Sequence, residues 1–175
     1  MFRLSGRPSP HRDAAERLYA ALAAQARHPA FFAELGVPDT VDGRFDVLAL
    51  HAWMVIDRVR EEPEGGVLAQ ALFDSMFGHL DAAVREMGDQ DLGVGRRIKV
   101  MAEGLHGRAL AFRAAMAEAD PVALENALQR NVFGAATPGR AAIIRLAGYV
   151  RASVAALAIL PAARLRDGRL AWPAV

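Results

Sequence analysis

The 175-residue chain contains no cysteine. This absence excludes a disulfide framework, a thiolate nucleophile and a zinc site with cysteine ligands. Nothing in the composition indicates an oxidising compartment, and a cytoplasmic protein is the expectation. Serine and threonine together account for only six residues. None of the serines stands in a G-x-S-x-G setting, so the sequence does not predict a nucleophilic hydrolase.

Long apolar runs are also missing. Residues 1–12 carry three arginines with no apolar run behind them, and nowhere do 18 consecutive apolar residues occur. We therefore expect neither a secretory signal nor a membrane span. The apolar share of 53% against 23% charged residues is typical of a chain that folds. The length predicts one domain over residues 1–175.

The net charge of +1 conceals a separation of charge along the chain. Residues 39–91 hold twelve acids against four arginines, whereas residues 139–175 have a net charge of +5 with a single acid, Asp167. This distribution indicates surfaces of opposite sign. The basic C-terminal third suits an anionic membrane surface or a ribosome, or is simply a solvated face. With only Tyr149 and Trp172 as aromatics there, it does not predict sequence-specific binding of nucleic acid.

Helical periodicity runs through most of the chain and alternation typical of strands is absent. The pattern of apolar residues, prolines and glycines predicts an all-α, single compact helical domain of about seven helices. The predicted helices cover residues 10–27, 29–35, 41–61, 67–87, 92–118, 121–131 and 137–160. Residues 162–175 show no helical period and are expected to form a docked tail or a short extended segment.

The helix predicted over 92–118 has two unusual features. Opposite its apolar stripe lies a second stripe of small side chains, formed by Val100, Gly104, Gly107 and Ala111. Glycine destabilises a helix interior by about 1 kcal/mol, so two glycines on this stripe predict that another backbone comes close. The favoured interpretation is that this backbone belongs to another helix of the same domain.

The second feature is at the start of that helix. Gly93 and Gly95 are expected to form a turn that leads into it, followed by the cations Arg96, Arg97 and Lys99. Such an arrangement suits an anion or a partner carboxylate, and the alternative is a tight turn with solvated cations.

The search for metal or catalytic residues finds little. Glu103 and His106 have the spacing of one ligand pair of di-iron helical bundles, but no second pair exists, so no metal is expected. His51 lies on the apolar helix over 41–61, where it is either a hydrogen-bonded core residue or a ligand for haem or a metal, with Met54 as a further candidate. No cofactor is predicted, and the chain is not expected to be an enzyme.

Several stretches are similar to the signature of the ubiquinol-cytochrome c chaperone family. They are residues 77–81 (FGHLD), 84–88 (VREMG), 91–103 (DLGVGRRIKVMAE) and, upstream, 37–46 (VPDTVDGRFD) with the helix through His51 and Arg60. The resemblance extends over residues 36–118 and weakens toward both ends of the chain.

This resemblance implies a non-catalytic role in assembling the respiratory cytochrome bc complex, by binding newly made cytochrome b before haem insertion and subunit addition. It places the protein in the cytoplasm at the inner membrane. The polar residues we choose for client recognition are Arg44, Arg96, Arg97 and Lys99, and the small stripe of Val100, Gly104 and Gly107 is a candidate apolar surface. Two other functions stay open: an α-helical protein that binds haem or a small molecule, and a membrane-surface or ribosome adaptor. The sequence does not define the oligomeric state.

Overall fold

Helices are the only regular secondary structure among residues 10–86 and 91–175, the parts of the chain that the computed structural model describes. The predicted all-α class is confirmed, with eight helices in these residues in place of about seven. They are α1 Pro10–Ala26, α2 Ala30–Ala33, α3 Val41–Arg60, α4 Gly65–Glu86, α5 Asp91–Ala117, α6 Pro121–Val132, α7 Arg140–Ala158 and α8 Ala162–Arg166.

Polar side chains fix where two of the long helices begin. The Thr40 hydroxyl oxygen accepts a hydrogen bond from the Gly43 backbone N–H at 3.1 Å at the start of α3. At the start of α6 the Asp120 carboxylate accepts from the Val122 N–H at 2.9 Å. Helix α7 starts later than the predicted position 137, because Gly139 has an extended backbone (φ −62°, ψ 146°) and acts as its N-cap.

Helix α3 is the centre of the fold. It packs against α1, α4, α5, α6 and α7. Fourteen of its 20 residues are buried, which agrees with a helix that is apolar on more than one face. The buried apolar side chains form one cluster around it that takes residues from α1 to α8.

The turn from α3 to α4 requires glycine at position 65. A Cβ atom there would lie 2.0 Å from the carbonyl oxygen of Val59. The carbonyl cannot move without breaking the end of α3, so the two helices approach more closely than any residue with a side chain would allow. This contact starts α4 two residues earlier than the sequence pattern predicts.

Two partly buried ion pairs join α5 to α3. Arg108 donates to the carboxylate of Asp46, and Arg113 donates to Asp57 at 2.5 Å. Burial raises the pKa of Asp46 to about 6, although the Arg108 charge opposes the rise. The pairs fix the rotation of α5, so they decide which of its side chains face outward.

Helix α7 is the one helix among the described residues that is long and apolar enough to cross a membrane, judged by length and composition. It packs against α3 and α6, and 39% of its most apolar window is buried. Arg58 of α3 donates to the carbonyl oxygens of Leu157 and Leu160 at 2.9 Å and so satisfies the end of α7.

The chain after α7 packs onto the helices. Residues 162–166 form a short helix that the sequence pattern does not predict, because five residues are too few for a period to appear. Its Leu165 is buried. The Trp172 ring lies 5.0 Å from the ring of His51, and Arg145 donates to the carbonyl oxygen of Val175 at 2.7 Å.

Candidate functional site

An apolar groove of about 260 Å³ opens between α1, α3, α4 and α5, next to the short helix α2. Each of these four long helices contributes side chains to the groove. The groove is lined by Tyr19, Ala23, Ala26, Arg27, Phe32, Val41, Arg44, Phe45, Leu48, His79, Leu80, Ala83, Val84 and Met101.

The floor of the groove is part of the core and its rim reaches solvent. On α3, Phe45 and Leu48 are buried while Val41, one turn earlier, is 45% exposed. On α4, Val84 is buried and Ala83 is exposed. The groove thus offers an apolar surface that is partly accessible from outside.

The rim carries two arginines. Arg44 donates to the Asp39 carboxylate at 2.6 Å, and its guanidinium carbon lies 5.5 Å from the centre of the Phe32 ring. The hydrogen bond that Arg44 donates to Asp39 raises the pKa of Arg44, which is charged at any physiological pH. Arg27, the residue directly after α1, also lines the groove. Fixed positive charge therefore stands beside the apolar surface.

A polar contact forms the opposite wall. The rings of Tyr19 and His79 stack with centroids 4.4 Å apart, and His79 Nε2 lies 2.9 Å from the Glu16 carboxylate. The hydrogen bond with His79 lowers the pKa of Glu16. These contacts join α1 to α4 at that side of the groove.

The predicted glycine turn is wrong. Gly93 and Gly95 lie inside α5, which already begins at Asp91, so they form no turn before the helix. A continuous α-helix satisfies its own backbone N–H groups after the first turn, so the N–H of Gly95 is not available to an anion, whereas Gly93 lies within the first turn. The cations that follow are on the helix as expected: Arg96 and Lys99 are exposed and Arg97 is half-buried.

The favoured interpretation of the small stripe is also wrong. Val100 is 60% exposed, and a Cβ atom at Gly107 would meet nothing within 4 Å. The space beside Gly104 is filled by the guanidinium of Arg108 from the same helix. Val100 and Gly107 therefore face solvent and not another backbone.

Of the residues chosen from the sequence, the structure therefore places Arg44 at the groove. Arg97 lies one turn before Met101, on the side of α5 that faces the groove. Arg96, Lys99, Val100 and Gly107 lie on the outward face of the same helix.

His51 is fully buried, and both ring nitrogens have protein partners. Nδ1 donates to the Val47 carbonyl oxygen at 2.8 Å, and Nε2 accepts from the Tyr149 hydroxyl at 2.7 Å. Burial lowers the pKa of His51 to about 4, so the ring is neutral. In this arrangement neither nitrogen is available to iron, which argues against the haem-binding alternative.

Glu103 and His106 are exposed, and Glu103 lies 3.9 Å from Lys99. The described part of the chain contains no group of three or more metal-ligating side chains.

Sequence patterns alone do not predict the groove. The helical period assigns Leu80, Val84 and Met101 to the core, and the structure leaves Leu80 and Met101 only half-buried. One signal existed: both stretches that carry the family resemblance, 37–46 and 77–103, contribute lining residues, among them Arg44, His79 and Met101.

Comparison with known proteins gives consistent results. Residues 33–172 match the model of the family described as ubiquinol-cytochrome C chaperone. The chain is 27% identical over 150 residues to the ubiquinol-cytochrome c reductase complex assembly factor 1 of Drosophila melanogaster, with 82% of this chain and 58% of the fly protein covered. It is 25% identical to the corresponding protein of Xenopus laevis, with 91% of this chain and 80% of the frog protein covered.

A solved structure is also similar. The crystal structure of the Cbp3 homolog from Brucella abortus superposes with a TM-score of 0.81 at 31% identity, covering 94% of this chain and 91% of that one. The chain spans 58% of the length of the fly relative. Because the family model covers most of the sequence and the fold agrees, this chain belongs to the ubiquinol-cytochrome C chaperone family.

Proposed function

We propose that the chain is a non-catalytic assembly factor for the ubiquinol-cytochrome c reductase complex, and that it binds newly made cytochrome b through the groove. The family and the names of the fly and frog relatives support the assembly role. The single observation that carries the binding site is the convergence of both family-like stretches on one apolar groove with a cationic rim.

The groove has the physical properties of a transient binding site. Burying one leucine or phenylalanine side chain contributes about 1.5–3 kcal/mol. A volume of about 260 Å³ admits one or two such side chains and is below the usual size of a cofactor pocket. Contact of this extent is enough to shield an exposed segment of the client, and it is weak enough for later subunits to displace.

The arginines of the rim add orientation to this apolar contact. Charges beside an apolar surface influence the rate and geometry of encounter more than the final affinity. Arg44 is already paired with Asp39, so its guanidinium is held over Phe32 before the client arrives. A client carboxylate near the bound side chain can exchange with Asp39 without a change in the backbone.

Filling the groove tests this proposal. Ala83 is exposed and lines the groove, and its neighbour Ala82 is exposed and does not line it. Ala83→Trp should therefore block client side chains, while Ala82→Trp adds the same ring to the outer surface of α4. We expect loss of cytochrome b capture and a lower level of assembled complex with Ala83→Trp alone. Equal capture by both variants would contradict the groove as the binding site.

A deletion strain tests the assembly role itself. We expect less assembled cytochrome bc complex with unchanged transcription of its subunits, and normal levels of the complex would contradict the proposal. The proposed place of action is the cytoplasm at the inner membrane, before haem insertion. Haem-deficient cells should therefore still yield a complex of this chain with haem-free cytochrome b, whereas capture restricted to the haem-loaded client would contradict the proposed order.

A further inference from the structure

Helix α7 presents a continuous apolar face to solvent. Six exposed positions carry no charge and fall within an arc of about 80° at the usual helical rotation. They are Ala141, Ile144, Gly148, Ala152, Ala155 and the C-cap residue Ile159. Ile144 is 47% exposed and Ile159 is 83% exposed. The outward side of α7 is therefore apolar along its whole length, which explains why the helix is apolar enough to cross a membrane although its other side is in the core.

The charges around this face are positive. Helix α7 contains no acid, and Arg145 and Arg151 lie just outside the two edges of the apolar arc. Arg145 pairs with Glu34 at 2.7 Å and Arg140 is 3.8 Å from Glu125, both acids being on neighbouring segments. Arg151 makes no ion pair within the described residues. An apolar face flanked by arginine is the arrangement of helices that lie in a membrane interface.

The outward face of α5 provides a comparison within the same molecule. It also exposes large apolar side chains, Val100 and Leu110. However, Arg96 and Glu103 lie in the middle of that face, at the same helical angle as the apolar residues. An acid at the centre of a face opposes contact with an anionic surface, so the two exposed helices are not equivalent.

We propose that the exposed face of α7 docks this chain onto an anionic phospholipid bilayer. The helix would lie parallel to the membrane, because its inner side, with Leu146, Val150 and Leu157, is fixed in the core. Docked in this way, Ile144 and Ile159 enter the boundary between headgroups and acyl chains while Arg145 and Arg151 contact lipid phosphates. Most of the face consists of alanine and glycine, so the apolar contact is small and attachment needs the electrostatic contribution.

The inference adds a membrane-binding surface to the proposed function, and it is tested without the client. Purified chain is mixed with vesicles of equal parts phosphatidylcholine and phosphatidylglycerol, or of phosphatidylcholine alone, and bound protein is separated by flotation. We expect binding to the anionic vesicles that falls steeply with added salt, and little binding to the neutral ones. Arg151→Gln should weaken binding about fivefold.

Matched variants distinguish the effect of position on vesicle binding from the effect of net charge. The double variant Ile144→Asp with Ile159→Asp should weaken binding at least about tenfold. The control Val67→Asp with Val100→Asp changes the net charge equally at two exposed sites on α4 and α5. Ile159→Asp alone, at a position beyond the last turn of α7, provides a second variant with little risk to folding.

Several outcomes would overturn the inference. They are equal binding by the two double variants, equal binding to neutral and anionic vesicles, or no binding by the parent. A dimer of the parent that the Ile144 and Ile159 changes dissociate, without vesicle binding, would assign the face to a second copy instead. Because vesicle binding is independent of the Ala83→Trp assay, the groove and the membrane surface can each fail alone.

Discussion

Tyr149 of α7 donates its hydroxyl hydrogen to Nε2 of His51 on α3 across a distance of 2.7 Å, deep in the core. The same hydroxyl oxygen accepts from the side-chain amide of Gln25 on α1 at 3.1 Å. Three helices that are distant in sequence are thereby joined by one buried phenol. Since His51 Nδ1 donates to the Val47 carbonyl, each hydrogen bond fixes the direction of the next.

Tyr149→Phe should destabilise the fold by about 1–3 kcal/mol, because the change leaves His51 Nε2 buried without a donor. Tyr19→Phe is the matched control: Tyr19 is only half-buried, and no hydrogen bond of its hydroxyl is seen in the described residues. We expect the control to stay within about 0.5 kcal/mol of the parent in urea unfolding. Equal losses for the two variants would show that the hydroxyl contact to His51 contributes nothing specific.

The low pKa of His51 should make the fold less stable in acid, and this effect should become visible once the opposing effect of Asp46 is removed. Its pKa is about 4 in the fold against 6.5 unfolded, so its contribution to stability is complete above pH 6.5 and is lost as the pH falls toward 4. Asp46, with a pKa raised from 3.8 to about 6, acts in the opposite sense: its contribution is present below 3.8 and is lost as the pH rises through 6. The two effects offset each other between these values.

Asp46→Asn should therefore make acid destabilisation steeper. Below pH 6 the variant should lose stability with a slope that approaches about 1.4 kcal/mol per pH unit, while the parent changes little. Urea unfolding at several pH values measures both slopes. Parallel curves for parent and variant would contradict the assignment of opposed titrations to His51 and Asp46.

Two adjacent glycines should respond in opposite directions to the same substitution. Gly65→Ala places a methyl group against the Val59 carbonyl and should cost about 2–3 kcal/mol or prevent folding. Gly66→Ala meets nothing within 4 Å and lies in the first turn of α4, so it should stabilise the protein by up to about 1 kcal/mol. Thermal melts of the two variants check the sign of each change, and a stable Gly65→Ala variant would rule out the close approach at this turn.

Charge reversal on α5 tests the cations that the sequence indicated for client recognition. Arg96→Glu combined with Lys99→Glu should leave the melting temperature near that of the parent, because both side chains are exposed. Both also lie beyond the first turn of α5, and the helix dipole acts mainly within that turn. We expect the double variant to capture cytochrome b more weakly, because these charges on the outward face of α5 would form a second contact with the client outside the groove. Normal capture would show that these two charges are only solvated, and a large drop in melting temperature would show that they are structural.

Local sequence patterns predicted most of the helices. Apolar residues at a spacing of three to four positions, with Thr40, Asp120 and Pro161 at the ends, define most helix positions because capping and periodicity act within a few residues along the chain. The resemblance of 37–46 and 77–103 to the chaperone family was likewise readable in the sequence. The same reasoning wrongly placed Gly93 and Gly95 in a turn, because glycine disfavours a helix by only about 1 kcal/mol and tertiary packing can override that preference. It missed α8 because five residues are too few for a helical period to appear.

The surfaces depended on tertiary contacts. Helix α5 has apolar or small residues on two sides, and the buried pair of Arg108 with Asp46 decides which side meets the core and which meets solvent. The groove exists because Leu48, Val84 and Met101, on three separate helices, meet at a corner that close packing does not fill. Periodicity along one helix says which residues share a face, whereas the neighbour of that face is fixed only when distant segments pack together.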